Sequence, residues 1–388
     1  MKYTKEHITI FTIMLTEVLG FSLILPYLPF FAQELGASPF VVGLILTTFS
    51  LFQFISAPIM GKLSDHYGRR PLLFFSQLST FISFIILGFA NSLWMIFLSR
   101  IVDGMLGSNF TIAQAYLSDI STKKERSRVF AISGVAFGFG FLVGPAIGGF
   151  LSIYSYSVPA FIAAVFSFLT MFMTLFFLPE TIKRKKRIKI NIKIFSFDEI
   201  NKYFSKPKLS PKLWQFFSFI LSHVIWVSSL ALYAERQLNF TARDMGFILT
   251  YVGLISITIR GSLLGRLIDF FGEQKLQCMG IIFMIIGLFT AAFINRGWMF
   301  YIVTTFFASG SGLLRILLVG DISRKAHKRE QGAVLGVTNS LGSLAQIAGP
   351  FIGGFIINNF IPGMLPLVAA IVMVLGCVLM IREYKQPI

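Results

Sequence analysis

Three charged side chains stand well inside apolar runs of this sequence: Glu17, Arg100 and Asp103. A charge in hydrocarbon is expensive, so each needs a task or a partner. Glu17 lies about nine residues into its run, near mid-depth if a helix rises about 1.5 Å per residue. A carboxylate where water is scarce can carry a proton whose binding depends on its surroundings. Arg100 and Asp103 are three positions apart, so they share one helix face. An arginine that approaches and leaves an acid converts helix movement into proton uptake and release. The competing reading is a static charge network that only orients helices. His223 is expected to be a hydrogen-bonded packing residue, the alternative being a member of a proton relay. Arg260 and Arg315, toward the ends of their runs, are expected to snorkel or to brace a loop. Phosphate-loop and metal-ligand spacings are absent, as is a nucleophile–base pair, so an enzyme, a cofactor and a metal are not expected.

The elements that hold these groups follow from composition. The 388 residues are 55% hydrophobic and 13% charged, with mean hydropathy +0.77. A soluble protein is nearer one quarter charged. Twelve segments are long and apolar enough to cross a bilayer core of about 30 Å: approximately 8–32, 40–60, 71–91, 93–118, 129–152, 157–179, 213–234, 244–264, 276–295, 297–319, 331–357 and 362–381. Unpaired backbone groups are too costly in lipid, so each must be a helix. The reading is an all-α membrane protein. Its net charge of +17 does not indicate nucleic acid, because the basic residues fall in alternate loops. With a cytoplasmic N-terminus, 28 Lys and Arg lie in inner loops and tails against 3 in outer loops. That bias places both termini inside, in a cell membrane. Cys278 and Cys377 lie in apolar runs and read as packing residues. The first run is too long for a signal peptide.

The chain is also duplicated. Gly61-x-Leu63-x-Asp65-x-x-Gly68-Arg69-Arg70 returns 204 positions later as Gly265-x-Leu267-x-Asp269-x-x-Gly272. Gly144-Pro145-x-x-Gly148-Gly149 returns as Gly349-Pro350-x-x-Gly353-Gly354, and Asp119-Ile120-Ser121 as Asp321-Ile322-Ser323. Paired membrane halves are a mark of secondary transporters. The expected domains are a six-helix bundle over 1–179, a basic linker over 180–212 and a second six-helix bundle over 213–388. The linker is expected to tether the halves beside anionic lipid, with a surface helix within 190–204. In the first loop, Gly61 is expected to allow close helix approach and Gly68 a tight turn. Asp65 is expected to face a helix N-terminus, and Arg69 and Arg70 to pair with acids such as Asp119. Gly140, Gly144 and Gly148, four apart, offer a smooth face to a partner helix, and Pro145 can bend the span into a gate.

On these residues the chain resembles the major facilitator superfamily. The loop at 61–70 fits that family's signature, Gly140-x-x-x-Gly144-Pro145-x-x-Gly148-Gly149 looks like its antiporter motif, and Arg100-x-x-x-Gly104 its intramembrane arginine motif. Within the family it is most similar to twelve-span drug/proton antiporters, including tetracycline exporters. The resemblance implies two pseudo-symmetric six-helix bundles around a central cavity, with spans one and four bringing Glu17, Arg100 and Asp103 into one cluster. It also implies acids in spans three and nine, where this chain has Ser83 and none, so a cationic metal–drug complex is not the expected cargo. Phe21, Phe110, Trp226 and Tyr233 are candidates for an apolar cavity lining. The expected function is export of small lipophilic compounds in exchange for protons, by a monomer whose other partners are membrane lipids. The alternatives are proton-coupled or facilitated transport of a polar metabolite and, from another class, a non-transporting receptor.

Overall fold

The computed structural model describes residues 5–121, 126–182, 197–207, 209–327 and 330–384. Residues 183–196 of the expected basic linker lie outside the described residues, as does the Cys377 side chain. The helices in chain order are α1 (Lys5–Ile24), α2 (Leu28–Glu34), α3 (Pro39–Tyr67), α4 (Arg69–Gly88), α5 (Leu93–Leu106), α6 (Asn109–Ile120), α7 (Arg126–Leu151), α8 (Ser157–Phe177), α9 (Phe197–Phe204), α10 (Ser210–Leu238), α11 (Ala242–Thr258), α12 (Leu264–Phe271), α13 (Glu273–Ala291), α14 (Gly297–Lys325), α15 (Gln331–Asn359) and α16 (Met364–Tyr384). A π-helical turn, Ile259–Leu263, joins α11 to α12 without interrupting the rod.

Ten helices among the described residues are long and apolar enough to cross a membrane, counting α11–α12 as one. The other two of the twelve expected spans take different forms. The last is α16, whose apolar stretch covers Met364–Gly376. The fourth is broken into α5 and α6 at Gly107–Ser108. A break in a span is tolerated where protein satisfies the freed backbone. Here the Ser108 N–H donates to the Ser76 hydroxyl at 2.8 Å and the Gly107 N–H to the Asp103 carbonyl at 2.6 Å.

The chain divides into two units. One comprises Met1–Ala37, Thr48–Ile194 and Thr241–Thr250, the other Ser38–Thr47, Phe195–Phe240 and Tyr251–Ile388. In the first, α1 packs on α7 and α8, and α4 on α5 and α8. In the second, α10 packs on α15 and α16, and α13 on α14 and α16. The same arrangement is built twice, as duplication requires. Relative to the expected domains, the opening turns of α3 and of α11 are exchanged between units. Each seats a glycine on the glycine motif of its host unit. Gly246 meets Gly149, and Gly43 meets Gly354.

Candidate functional site

Four helices of the first unit bring the charged residues together. The Asn109 amide nitrogen donates to the Glu17 carboxylate at 2.7 Å and to the Thr80 hydroxyl at 3.0 Å. Thr80 in turn donates to Asp103 at 3.0 Å. Arg100 stands 3.7 Å from the other Asp103 oxygen, and its guanidinium also donates to Ser99 at 3.0 Å. Arg100 and Asp103 are buried. One polar chain, Glu17–Asn109–Thr80–Asp103–Arg100, thus crosses α1, α6, α4 and α5. The break at Gly107–Ser108 starts α6 at Asn109, so its amide projects from the first residue of the new helix. The hydrogen bonds run outward from the Asn109 amide, directly to Glu17 and through the Thr80 hydroxyl to Asp103, which leaves both acids as acceptors. The Asn109 carbonyl oxygen is buried without a hydrogen bond.

An aromatic shelf lies beside this chain. Phe21 meets Phe49 at 5.9 Å and Phe141 at 6.1 Å between ring centres, and Phe141 stacks on Phe137 at 4.6 Å. Phe110 continues the shelf at 6.4 Å from Phe137. Phe49 also lies 5.9 Å from the Arg100 guanidinium, within cation–π range. Phe21 and Phe110 therefore border the charged cluster. Trp226 and Tyr233 are placed otherwise. Both are fully buried in the second unit, packed on each other and on Phe300, with the Tyr233 hydroxyl donating to the Ala291 carbonyl. They fill a core and line no open surface. A large ring at helical spacing reads the same in both roles.

The loop between α3 and α4 is a clamp. Arg69 pairs with Asp65 at 2.5 Å and Asp119 at 2.9 Å, and donates to Ser64 at 2.5 Å. Arg70 donates to the Leu175 carbonyl at the end of α8. The anion at a helix N-terminus is not Asp65 but Glu180, which accepts the N–H groups of Arg69 at 2.9 Å and Arg70 at 3.1 Å. Gly68 makes the expected tight turn with φ +111°. Gly61 and Gly265 do not mark close helix approach, since a Cβ on either would meet no neighbour within 4 Å.

The second copy keeps the turn, with Gly272 at φ +77°, but reverses the polarity. Glu273 occupies the position equivalent to Arg69 and pairs with Arg324. Asp321, the counterpart of Asp119, pairs with Lys212 at 3.0 Å. Asp269 is exposed and has no ion pair among the described residues.

A family model described as Major Facilitator Superfamily matches residues 10–350 and, in a second match, 263–387. The chain belongs to the major facilitator superfamily. It is 30% identical over 354 residues to the class B tetracycline resistance protein of Escherichia coli, covering 90% of this chain and 88% of that protein. It is 28% identical to multidrug resistance protein 2 of Bacillus subtilis, over 92% of this chain and 91% of that one. In fold it is similar to a solved nucleoside transporter, with a TM-score of 0.78, 11% identity and coverage of 97% and 99% of the two chains. It is a multi-pass membrane transporter.

In this facilitator the glycine motifs are packing faces within each unit. A Cβ on Gly140 would come within 2.7 Å of Val18, and Gly144 and Gly148 lie directly on Ser22 and Leu23 of α1. Ser22 donates to the Gly140 carbonyl at 2.9 Å. The copy repeats this on α10, with Gly349 against Val224 and Gly353 against Ser229. Pro145 and Pro350 lie inside continuous helices α7 and α15. Their carbonyls lie under Gly246 and Gly43 respectively.

Sequence reasoning missed Asn109, Thr80 and Glu180. A polar Gly-Ser-Asn triplet at 107–109 inside an apolar run was the available signal for the first. Glu180 looks like the start of the linker. The anchor of that linker was also hidden: Lys206 and Lys202 of the α9 region pair with Glu330 at 2.6 and 3.8 Å.

Proposed function

We propose that this facilitator exports small lipophilic compounds in exchange for protons by alternating access, with its termini and basic loops in the cytoplasm. The observation that carries the reading is the polar chain from half-buried Glu17 to buried Arg100 beside an apolar aromatic shelf. Two acids and one arginine share a water-poor site, so a proton on one acid changes the balance for the other. Arg100 at 3.7 Å from Asp103 attracts it by about 4 kcal/mol at an effective dielectric constant of about 20. Movement that separates them removes most of that attraction.

Asn109 provides a local record of the Glu17 proton. With Glu17 ionised, the amide N–H faces it. Protonated Glu17 becomes a donor, and the acceptor at hand is the unpaired Asn109 carbonyl oxygen. An amide rotation satisfies the new pair, and the N–H bond to Thr80 changes with it. The likeness to tetracycline and multidrug resistance proteins supports drug-like cargo, and the shelf of Phe21, Phe110, Phe137 and Phe141 supports an apolar one.

The test is compound-dependent proton movement in reconstituted vesicles. Glu17→Gln should abolish uphill, pH-driven export and leave downhill exchange intact. Full coupling in Glu17→Gln, Asp103→Asn and the double variant would remove the cluster from the mechanism.

A further inference from the structure

The proton chain leaves two intramembrane charges of the second unit unexplained. Arg260 sits in the π-helical turn Ile259–Leu263, and Arg315 lies one turn past the midpoint of α14. Each is 18 residues beyond the start of its helical rod, and the rods run at matching depth, because Ile259 lies against the Gly312 position and shares a buried cluster with Leu313 and Leu317. The two guanidinium groups therefore belong to one level of one unit.

Neither arginine has an ion pair among the described residues. The acids between 251 and 330 are Asp269, Glu273, Asp321 and Glu330, all at helix ends on the basic side. Asp321 is held by Lys212, Glu273 by Arg324 and Glu330 by Lys206. The remaining titratable group set near them is His223 of α10, whose ring stacks on Phe307 of α14 at 5.3 Å. It offers no negative charge.

Snorkelling does not account for the pair. The Arg260 Nε lies 4.0 Å from the position of a Cβ on Gly312, one turn farther from the basic end than Arg315. The same position lies 3.9 Å from the Ile259 Cβ, so the Arg260 Nε stays at the depth of the π-helical turn and does not reach toward the basic end. That Nε is buried and makes no hydrogen bond. The Arg315 side chain beside it is exposed on the surface of the unit. Gly312 leaves the space that the Arg260 side chain occupies, and π-helical turns of this kind recur at functional sites.

Two like charges in a low-dielectric setting, one with an orphaned donor, need an anion to balance them. Guanidinium groups bind planar oxyanions in paired hydrogen bonds. We propose that Arg260 and Arg315 form a binding site for the acidic group of an aromatic organic anion, a carboxylate or sulfonate. The inference rests on the export reading and narrows the cargo to lipophilic anions. An anionic lipid headgroup offers related chemistry and is distinguished below.

The test measures equilibrium binding to the purified, full-length transporter in neutral detergent. The probes are fluorescein, an aromatic carboxylate, and ethidium, an aromatic cation. Fluorescein should bind the wild type, and Arg260→Gln and Arg315→Gln should each weaken it at least tenfold. Arg315→Lys should recover part of the loss, and ethidium binding should not fall in any variant. The Gln variants should unfold at the wild-type temperature or higher, since each removes an unpaired charge. Arginines with a purely structural role would instead lower it. Absence of fluorescein binding to the wild type, or equal binding in both Gln variants, overturns the proposal. So does arginine-dependent binding confined to phosphatidylglycerol in mixed micelles. Proton movement in vesicles separates this from the export reading. If ethidium drives protons and fluorescein neither binds nor drives them, the anion site falls and export stands. If no compound drives protons but fluorescein binding still needs both arginines, export falls and the site stands.

Discussion

Replacing Glu180 with alanine should loosen the α3–α4 clamp. The Glu180 carboxylate accepts N–H groups from Arg69 and Arg70 at the start of α4, and from Ile182 at 2.9 Å. An N-terminal cap lost to alanine costs about 0.5–2 kcal/mol. The anion at the positive end of the helix dipole contributes about 0.3–1 kcal/mol, less in salt. Glu180 is exposed, so water replaces part of what is lost, and about 1–2 kcal/mol is the expected total. For a unit of this size that corresponds to a melting temperature lower by a few degrees, about 2–4 °C per kcal/mol. Glu180→Gln keeps an acceptor and should recover more than half. The assay pairs thermal unfolding in detergent with the reactivity of a cysteine placed at Ser121, beside Asp119. The alanine variant should unfold earlier and label faster. Unchanged melting and labelling would refute the assignment of Glu180 as the cap that closes the clamp.

Gly144→Ala should push Ser22 off the Gly140 carbonyl and lower stability by about 1–3 kcal/mol, read as a fall in melting temperature. Asp65→Asn should weaken the Arg69 ion pair and slow transport while leaving the protein inserted; normal transport together with normal cysteine accessibility on the basic side would count against a gating role. Thr80→Val should strand the Asn109 amide and Asp103 together, and proton coupling should fall at least as far as in Asp103→Asn; undiminished coupling would show that the polar chain is not needed. Glu330 gives a pH prediction. The Lys206 hydrogen bond, with the charges of Lys206, Lys202 and His327, holds its carboxyl below the usual glutamate range. The α9 anchor is thus complete above the ordinary glutamate value and is lost as pH falls through the lowered one. Hydrogen exchange over 200–204 should accelerate on that descent, and in Glu330→Gln it should be fast at both ends.

The spans, the duplication and the turn glycines could be read from the sequence because each is a local or periodic property. Hydropathy finds a helix that must satisfy itself in lipid, and a positive φ demands glycine at 68 and 272 wherever the turn recurs. The membership of Glu17, Arg100 and Asp103 in one cluster needed the resemblance, since nothing in the spacing brings α1 to α5. Asn109 escaped because its role depends on a break in a span that hydropathy averages away. Glu180 escaped because its partners are 110 and 111 positions distant. The second loop misled in another way. Its glycines and aspartate match the first, yet its ion pair is built with reversed signs, so the matched Asp269 is idle and the unmatched Glu273 does the pairing.

The broken fourth span separates two cargoes of polar groups onto two rods. Arg100 and Asp103 ride on α5, whereas Asn109 rides on α6. Flexing at Gly107–Ser108 would stretch the Asn109 bonds before it disturbed the arginine–aspartate pair. Under the proton-exchange reading proposed above, the joint would act as a clutch that disconnects Glu17 from Asp103 without changing the number of charges in the polar chain. The matching span of the second unit, α14, is one uninterrupted rod of 29 residues and has no such joint. After duplication the two halves have diverged into a jointed partner and a stiff one, and the joint belongs to the unit that carries the Glu17–Arg100 chain.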